Sequence, residues 1–308
     1  MTSKPIDIRL HVATVVGNIA EMTKLLDDGF DIEARDYDGK TPLMCAIQDY
    51  ADTDIVNLLL KRGADVNAVC GDGQHMLHWM ASNDYSYLIT KYISNGADVN
   101  IRDKDGCTPL YTAAVTGKKR VVTSLLEARA DITIKTLSGH VPLHGASHNG
   151  HVEIVANLIY TGADVDIKDN GNMTPLHWAA KNGHRNVTAF LAASGANIDA
   201  KDHNERTPLL WAAGYNTNVE VITHLISAGA NINTRDKDGW TPLHHAAYNN
   251  SNIDVVTCLV SSGADMFAKN NDGDTPLDLA KEKENTVVVD YFALQVIENS
   301  LLRISDAE

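Results

Sequence analysis

Aromatic residues are scarce in this sequence, and the marks of a secreted, membrane-bound or metal-binding chain are weak. Aromatic side chains make up 6% of the 308 residues, and the four cysteines lack the spacing of a metal site or a disulfide framework. No apolar run approaches the ~18–20 residues of a membrane helix, and the first seven residues contain no apolar signal core. These absences predict a soluble protein with free thiols that is intracellular, or secreted by a route that the sequence does not reveal.

Positive charge is also in short supply. The 26 Lys and Arg residues stand against 40 Asp and Glu residues, which gives a formal charge of -14. An acidic chain repels phosphate backbones, so the composition argues against a nucleic-acid partner. Apolar residues make up 44% of the sequence, which is enough for a continuous core. At this length, two globular domains or one elongated repeat array both remain open.

A leucine recurs along the whole chain at intervals of 33 or 34 residues, and six of its nine occurrences complete the string Thr-Pro-Leu. Regular self-similarity at this period is the signature of a repeat architecture. The aligned leucines are Leu10, Leu43, Leu77, Leu110, Leu143, Leu176, Leu209, Leu243 and Leu277. We therefore predict one domain over residues 1–308, with repeats at about 4–35, 36–69, 70–102, 103–135, 136–168, 169–201, 202–235, 236–269 and 270–303.

The repeat at residues 169–201 shows how one unit folds. Thr174 is a good helix N-cap, and Pro175 follows at the first helical position, where a missing N–H costs nothing. Gly183 breaks this short helix, and Gly195 ends a second helix of apolar spacing. We expect Ala196–Asp199 to run extended into the next repeat. Each unit is thus a turn, a helix, a turn and a helix, and buries its apolar face only by stacking on neighbours.

The motif Thr-Pro-Leu-His-x-Ala-Ala stands complete at Thr174–Ala180 and Thr241–Ala247, and Gly-Ala-Asp-Val-Asn at Gly63–Asn67 and Gly96–Asn100. With these motifs the chain closely resembles the ankyrin repeat family. The resemblance implies an all-α solenoid of about nine stacked helix pairs, with β-hairpin-like fingers and a concave face formed by the fingers and first helices.

The resemblance also implies a function. Such chains are protein–protein interaction modules that act as adaptors, inhibitors or pathogen effectors, and they bind another protein through the concave face. We accordingly expect no enzymatic activity, no cofactor, no membrane and a monomer. We expect the protein in the cytoplasm, including that of a host cell into which an effector is delivered.

Three residues depart from the repeat pattern where glycine belongs. Arg129 stands at the end of a second helix, and Asn172 and Glu205 stand in finger turns. Asparagine tolerates the left-handed backbone region that these positions require, whereas glutamate does so poorly. The third repeat has also lost its Thr and Pro, replaced by His75 and Met76, so we expect local instability around the third and fourth repeats.

Histidines recur just after the register leucine, at His78, His144, His177 and His244. This position resembles the family's structural histidine, which hydrogen-bonds the finger backbone. A tighter group, His144, His148 and His151, leaves open an alternative function as a metal-binding protein or enzyme. No carboxylate or thiolate completes that group nearby, so we predict no metal site.

Aromatic side chains that the scaffold does not need are candidates for partner binding. Trp240, Tyr248 and Tyr215 fall at finger and helix-end positions, and Trp and Tyr are favoured at interface hot spots. Residues expected around them are Arg206, Lys181, His203, Lys237 and Asn249, and a second, weaker patch contains His140 and His148. Trp79, Trp178 and Trp211 share another repeat position, which in the family faces inward, so we expect them to be packed between helices.

One modification site follows from the resemblance alone. Asn67, preceded by Asp65 and with Leu59 eight residues upstream, is similar to finger asparagines that an asparagine hydroxylase modifies in ankyrin repeats. Asn67 is therefore a candidate for hydroxylation.

Overall fold

Helix pairs recur along the chain at the period of the register leucines. The computed structural model describes residues 7–50, 53–70, 74–250 and 252–305. These residues form eighteen α-helices and one π-helical segment, Ala46–Tyr50. In chain order the α-helices are α1 Arg9–Val16, α2 Ile19–Asp27, α3 Pro42–Cys45, α4 Thr53–Lys61, α5 Met76–Ser82, α6 Ser86–Ser94, α7 Pro109–Thr116, α8 Lys119–Glu127, α9 Pro142–His148, α10 Val152–Tyr160, α11 Pro175–Lys181, α12 Arg185–Ala193, α13 Pro208–Tyr215, α14 Val219–Ser227, α15 Pro242–Asn249, α16 Ile253–Ser261, α17 Pro276–Glu282 and α18 Thr286–Ser305.

The Thr-Pro pairs start the first helix of most repeats, as the sequence predicts. The hydroxyls of Thr108, Thr207 and Thr241 each accept the backbone N–H three residues on, at 3.2–3.4 Å. This bond satisfies one of the donors that a helix N-terminus leaves free. At Thr174 the roles are reversed, because the backbone N–H of Thr174 donates to Nδ1 of His177 at 3.0 Å.

Close contacts divide the chain into two compact bodies, an N-terminal body of residues 1–137 and a C-terminal body of residues 138–308. In the C-terminal body the first helices α9, α11, α13, α15 and α17 pack side by side. The second helices α10, α12, α14 and α16 form a second layer behind them. In the N-terminal body α5 packs on α7 and α6 on α8 in the same manner.

The register leucines and the alanines after them form the core of each layer. Leu176, Leu209 and Leu243 are fully buried, as are the alanine pairs Ala179–Ala180 and Ala212–Ala213. Small side chains at these positions let neighbouring first helices approach closely. At the C-terminal end, the long helix α18 packs on α16 and α17.

The recurring histidines tie each first helix to the finger of the following repeat, as the resemblance implied. Nε2 donates to the carbonyl oxygen just before the next repeat's first helix, at 2.8–3.1 Å, in the pairs His11–Lys40, His78–Cys107, His144–Met173, His177–Arg206 and His244–Asp274. Burial lowers the pKa of His177 and of His244, since a buried imidazole loses the hydration of its charged form. His177 and His244 therefore act as neutral hydrogen-bond donors.

The fingers are hairpin-like turns rather than strands. In the finger at 202–206, the N–H of Asp202 donates to the carbonyl of Arg206 at 3.0 Å, and Oδ1 of Asp202 accepts two backbone N–H groups. The only β-bridge among the described residues is an isolated one between Val69 and His75. The expectation that Ala196–Asp199 runs extended is wrong, because Ile198 and Asp199 form a turn closed by a bond from Ala200 to Asn197.

The three non-glycine residues at glycine positions all adopt the left-handed conformation that the sequence analysis expected. Their φ angles are 63° at Arg129, 60° at Asn172 and 59° at Glu205. A side chain in this region costs roughly 1–2 kcal/mol per residue. The repeat geometry therefore imposes the turn even where the sequence does not favour it.

Candidate functional site

Half-buried and exposed aromatic rings and cations lie along the first helices and fingers of the C-terminal body. We call these residues the aromatic row, and its members are His140, His148, Trp178, Lys181, Arg206, Trp211, Tyr215, Trp240 and Tyr248. Lys181 contacts aromatic rings of two successive repeats. Its Nζ lies 5.3 Å from the ring centre of Trp178 in its own repeat, and 4.4 Å and 5.9 Å from those of Trp211 and Tyr215 in the next. Contacts at this range are attractive cation–π interactions.

Trp178 and Trp211 are held by carboxylates of the fingers rather than packed inward. The indole N–H of Trp178 donates to Oδ2 of Asp169, and that of Trp211 to Oδ2 of Asp202, both at 2.9 Å. Both carboxylates are buried, whereas both tryptophans remain partly exposed. The expectation of inward packing is therefore wrong for Trp178 and Trp211, because the indole N–H needs a partner and the finger supplies one. An Asp nine residues before each Trp is the sequence signal for this arrangement.

Asp169 also brings His140 into the row. Nε2 of His140 lies 3.3 Å from Oδ2 of Asp169, and its ring meets the edge of Trp178 at 5.4 Å between centres. Burial opposes ionisation of Asp169, but hydrogen bonds from His140, Trp178 and backbone N–H groups outweigh it and lower its pKa to about 2. The ring of His148 packs on Trp178 at 5.1 Å. The two patches that the sequence suggested thus meet at Trp178 and Lys181.

Trp240 and Tyr248 form the other end of the row. Their rings meet edge to face at 5.1 Å between centres, and Tyr215 lies at the end of the neighbouring helix α13. Together they line a hollow of about 430 Å³ whose other lining residues are Arg206, Asp236, Asp238, His245, Asn249, Asn271 and Asp272. The structure therefore brings the three predicted aromatics, Arg206 and Asn249 to one place.

His245 supports this hollow, and sequence reasoning missed it. Its Nε2 lies 2.8 Å from Oδ2 of the buried Asp236, in the position that the tryptophans occupy in the two preceding repeats. Arg206 approaches the same carboxylate, with Nε at 3.5 Å, and its guanidinium lies 5.2 Å from the ring centre of Trp211. Burial alone would raise the pKa of Asp236. The hydrogen bonds to its carboxylate, led by that of His245, have the larger effect and hold the pKa below its ordinary value, so the carboxylate is ionised.

Two predicted residues lie on the fingers and do not line the hollow. His203 is exposed, and its ring bridges back to the preceding finger, donating from Nε2 to the carbonyl of Asn170 at 2.9 Å. Lys237 is exposed too, and its backbone N–H donates to the carbonyl of Asn204 at 3.1 Å. Both serve the contact between neighbouring fingers, and their part in partner binding stays a prediction.

The three histidines that suggested a metal site have other places in the structure. His144 is buried, with Nδ1 accepting the N–H of Val141 at 3.2 Å and Nε2 donating to Met173. His148 packs on Trp178, while His151 stands at the N-terminus of α10. Within the described part of the chain, no group of three His, Cys, Asp or Glu side chains is arranged to hold a metal ion.

Asn67 is half-buried in the N-terminal body, and both ends of its amide are bonded. Nδ2 donates to the carbonyl of Gly96 at 3.1 Å, and Oδ1 accepts the N–H of Asp98 at 3.0 Å. The side chain thus links two successive repeats, and its hydroxylation stays a prediction.

Comparisons with known proteins agree with this architecture. A family model described as ankyrin repeats (three copies) matches residues 7–70, 77–169, 143–236 and 209–299. The chain therefore belongs to the ankyrin-repeat family. Ankyrin repeats are general protein–protein interaction modules, and the family is typically a non-enzymatic binding scaffold.

Two individual proteins show how far the likeness extends. The crystal structure of the human ASB11 ankyrin repeat domain superposes with a TM-score of 0.62 at 30% identity, covering 67% of this chain and 92% of that one. The ankyrin repeat protein FPV233 of fowlpox virus (strain NVSL) is 50% identical over 44 residues, which is 14% of this chain. The match spans only 9% of the viral protein's length. No helix in the described residues is long and apolar enough to cross a membrane.

Proposed function

We propose that this chain recognises another protein and that the partner docks on the aromatic row of the C-terminal body. The observation that carries the proposal is the anchoring of half-exposed tryptophans to buried finger carboxylates. Surface indoles are ordinarily mobile, but Trp178 and Trp211 are each fixed by a hydrogen bond of 2.9 Å. Rings that are already ordered lose little entropy on binding, which favours affinity.

The composition of the row supports the same function. Interface hot spots are enriched in Trp, Tyr and Arg, and the row contains three tryptophans, two tyrosines and Arg206. Scaffold packing does not require Tyr215, because 51% of its surface is exposed. We further propose that the fingers around the row, including His203 and Lys237, form its polar rim.

The role within a cell is a finer proposal. We propose that the chain acts as an adaptor, inhibitor or pathogen effector, as a monomer in a cytosol. Cys45, Cys70, Cys107 and Cys258 form no disulfide, which suits a reducing compartment. The likeness to a fowlpox virus protein suits an effector that acts inside a host cell.

Site-specific photo-crosslinking tests the docking surface. A photoreactive phenylalanine analogue replaces Tyr215 in one sample and Tyr87 of the N-terminal body in the other. The two tyrosines are matched, with 51% and 55% of their surfaces exposed. We expect a discrete crosslinked partner from position 215 and none from position 87. Equal crosslinking at both positions, or none at 215 while position 87 crosslinks, contradicts the proposal.

A further inference from the structure

Among the tryptophan and tyrosine rings of the row, Trp240 alone has no Lys or Arg over it within the described residues. Lys181 lies over Trp178, Trp211 and Tyr215, Arg206 over Trp211, and Lys283 over Tyr248 at 4.3 Å. Within the residues that the structure describes, the Trp240 indole lies against the rings of His244, His245 and Tyr248, and no Lys or Arg lies over it. Among the three aromatic rings that line the hollow, Tyr215 and Tyr248 thus each have a cation and Trp240 has none.

The hollow is also negatively charged. Three carboxylates line it against the single guanidinium of Arg206. Asp236 is occupied, because His245 and Arg206 both approach its Oδ2. Asp238 and Asp272 are exposed, and neither carboxylate forms an ion pair within the described part of the chain. Two negative charges are therefore available beside an open indole ring.

Asp238 and Asp272 belong to adjacent fingers, which are hydrogen-bonded to each other. The backbone N–H of Asn271 donates to the carbonyl of Asp238 at 3.0 Å, and Nδ2 of Asn271 donates to the carbonyl of Lys237 at 2.9 Å. These bonds fix the finger that carries Asp272 against the finger that carries Asp238. A ligand that bridges both carboxylates would find their backbones already held together, so that only the two side chains remain to be ordered.

We propose that the hollow receives an arginine side chain of the partner protein, stacked on Trp240 and bonded to Asp238 and Asp272. A guanidinium is flat, stacks on aromatic faces and presents several N–H donors in a fixed fork, so it can satisfy both carboxylates at once. A lysine ammonium is a more strongly hydrated point charge and stacks less well. The net charge of -14 also attracts a basic partner over longer distances.

This inference rests on the proposed docking surface, but a small probe tests it without the partner. The probe is the capped tripeptide acetyl-Gly-Arg-Gly-amide, and its matched control carries citrulline, which has the same shape without the charge. Binding is followed in the full chain by the NMR signal of the Trp240 indole N–H, assigned with Trp240→Phe. We expect the arginine peptide to shift this signal saturably and the citrulline peptide to leave it in place.

Two double variants distinguish binding of the arginine peptide in the hollow from its general attraction to an acidic protein. Asp238→Asn/Asp272→Asn should weaken the arginine peptide at least fivefold. Asp38→Asn/Asp105→Asn, which removes two finger carboxylates of the N-terminal body, should change its affinity less than twofold. A third probe, acetyl-Gly-Lys-Gly-amide, should bind more weakly than the arginine peptide. Equal shifts by the arginine and citrulline peptides, equal effects of the two double variants, or tighter binding of the lysine peptide than of the arginine peptide would overturn the proposal. If position 215 still crosslinks a partner after such a result, the proposed docking surface is retained and only the proposed arginine site is rejected.

Discussion

A single buried aspartate in the finger orients a ring on the surface of each of three repeats. Asp169, Asp202 and Asp236 occupy the same finger position, and each accepts a donor nine residues further on. The donor is Trp178, Trp211 or His245. Because a buried carboxylate without partners is costly, the finger and the first helix are fixed to each other at this point. The same bond that stabilises the finger therefore orients the aromatic ring.

The structural histidines make stability dependent on pH at the level of one residue. His177 is fully buried, and burial lowers its pKa below the ordinary value of about 6.5. As pH falls below that value, the unfolded chain binds a proton that the folded chain does not. The stabilisation is therefore complete above about pH 6.5 and declines as the pH approaches the lower pKa of the folded state.

His177→Gln removes this titration but retains a side-chain N–H donor. We expect the slope of the free energy of unfolding against pH, between pH 5 and 6, to decrease by up to about 1.4 kcal/mol per pH unit, which is the limit for one proton. Urea titrations at several pH values measure the slope. Between pH 7.5 and 8.5 the two chains should show parallel curves. An unchanged slope between pH 5 and 6 would mean that His177 titrates alike in the folded and unfolded chains.

At the scale of the helix and its ends, the repeat geometry overrides unfavourable residues. Helix α8 is followed by Arg129, whose φ of 63° is a left-handed value that glycine adopts without steric cost. The side chain of Arg129 is exposed, so replacing it removes no buried contact. A substitution that removes the strain at this residue should therefore raise the free energy of unfolding.

Arg129→Gly should raise the free energy of unfolding by about 0.5–1 kcal/mol, because relief of the left-handed strain exceeds the greater chain entropy of glycine. Arg129→Ala is the matched control, since it removes the same side chain but keeps the Cβ atom. Chemical denaturation of the three chains gives the comparison. A gain in the alanine variant equal to that in the glycine variant would assign the effect to the arginine side chain instead.

Local sequence signals predicted the elements but not the orientation of the aromatic rings. Thr174 with Pro175 marks a helix start by chemistry that acts within one turn, and the 33–34-residue period of the leucines marks the stacking. The exposure of Trp178 depends on Asp169, which belongs to a different element and meets the indole only in the folded repeat. His245 was missed for the same reason, because its partner Asp236 lies in the finger.

At the scale of the whole chain, the two bodies share repeats but not the anchored surface. Trp79 of the N-terminal body occupies the same repeat position as Trp178 and Trp211, but Cys70 stands where their finger carboxylates are. Its ring stacks on Tyr85 at 5.2 Å between centres. The aromatic row, the hollow and the proposed arginine site all lie in the C-terminal body. The N-terminal body therefore supplies internal controls for every claim about binding.

The affinity of a partner identified by crosslinking tests the central claim most directly. Trp240→Ala/Tyr248→Ala removes the pair at 5.1 Å in the C-terminal body, and Trp79→Ala/Tyr85→Ala removes the pair at 5.2 Å in the N-terminal body. By calorimetric titration we expect the first variant to lose at least about 30-fold in affinity, or about 2 kcal/mol, and the second to bind like the unmodified chain. Equal losses in both variants, or no loss in the first, would contradict recognition through the aromatic row.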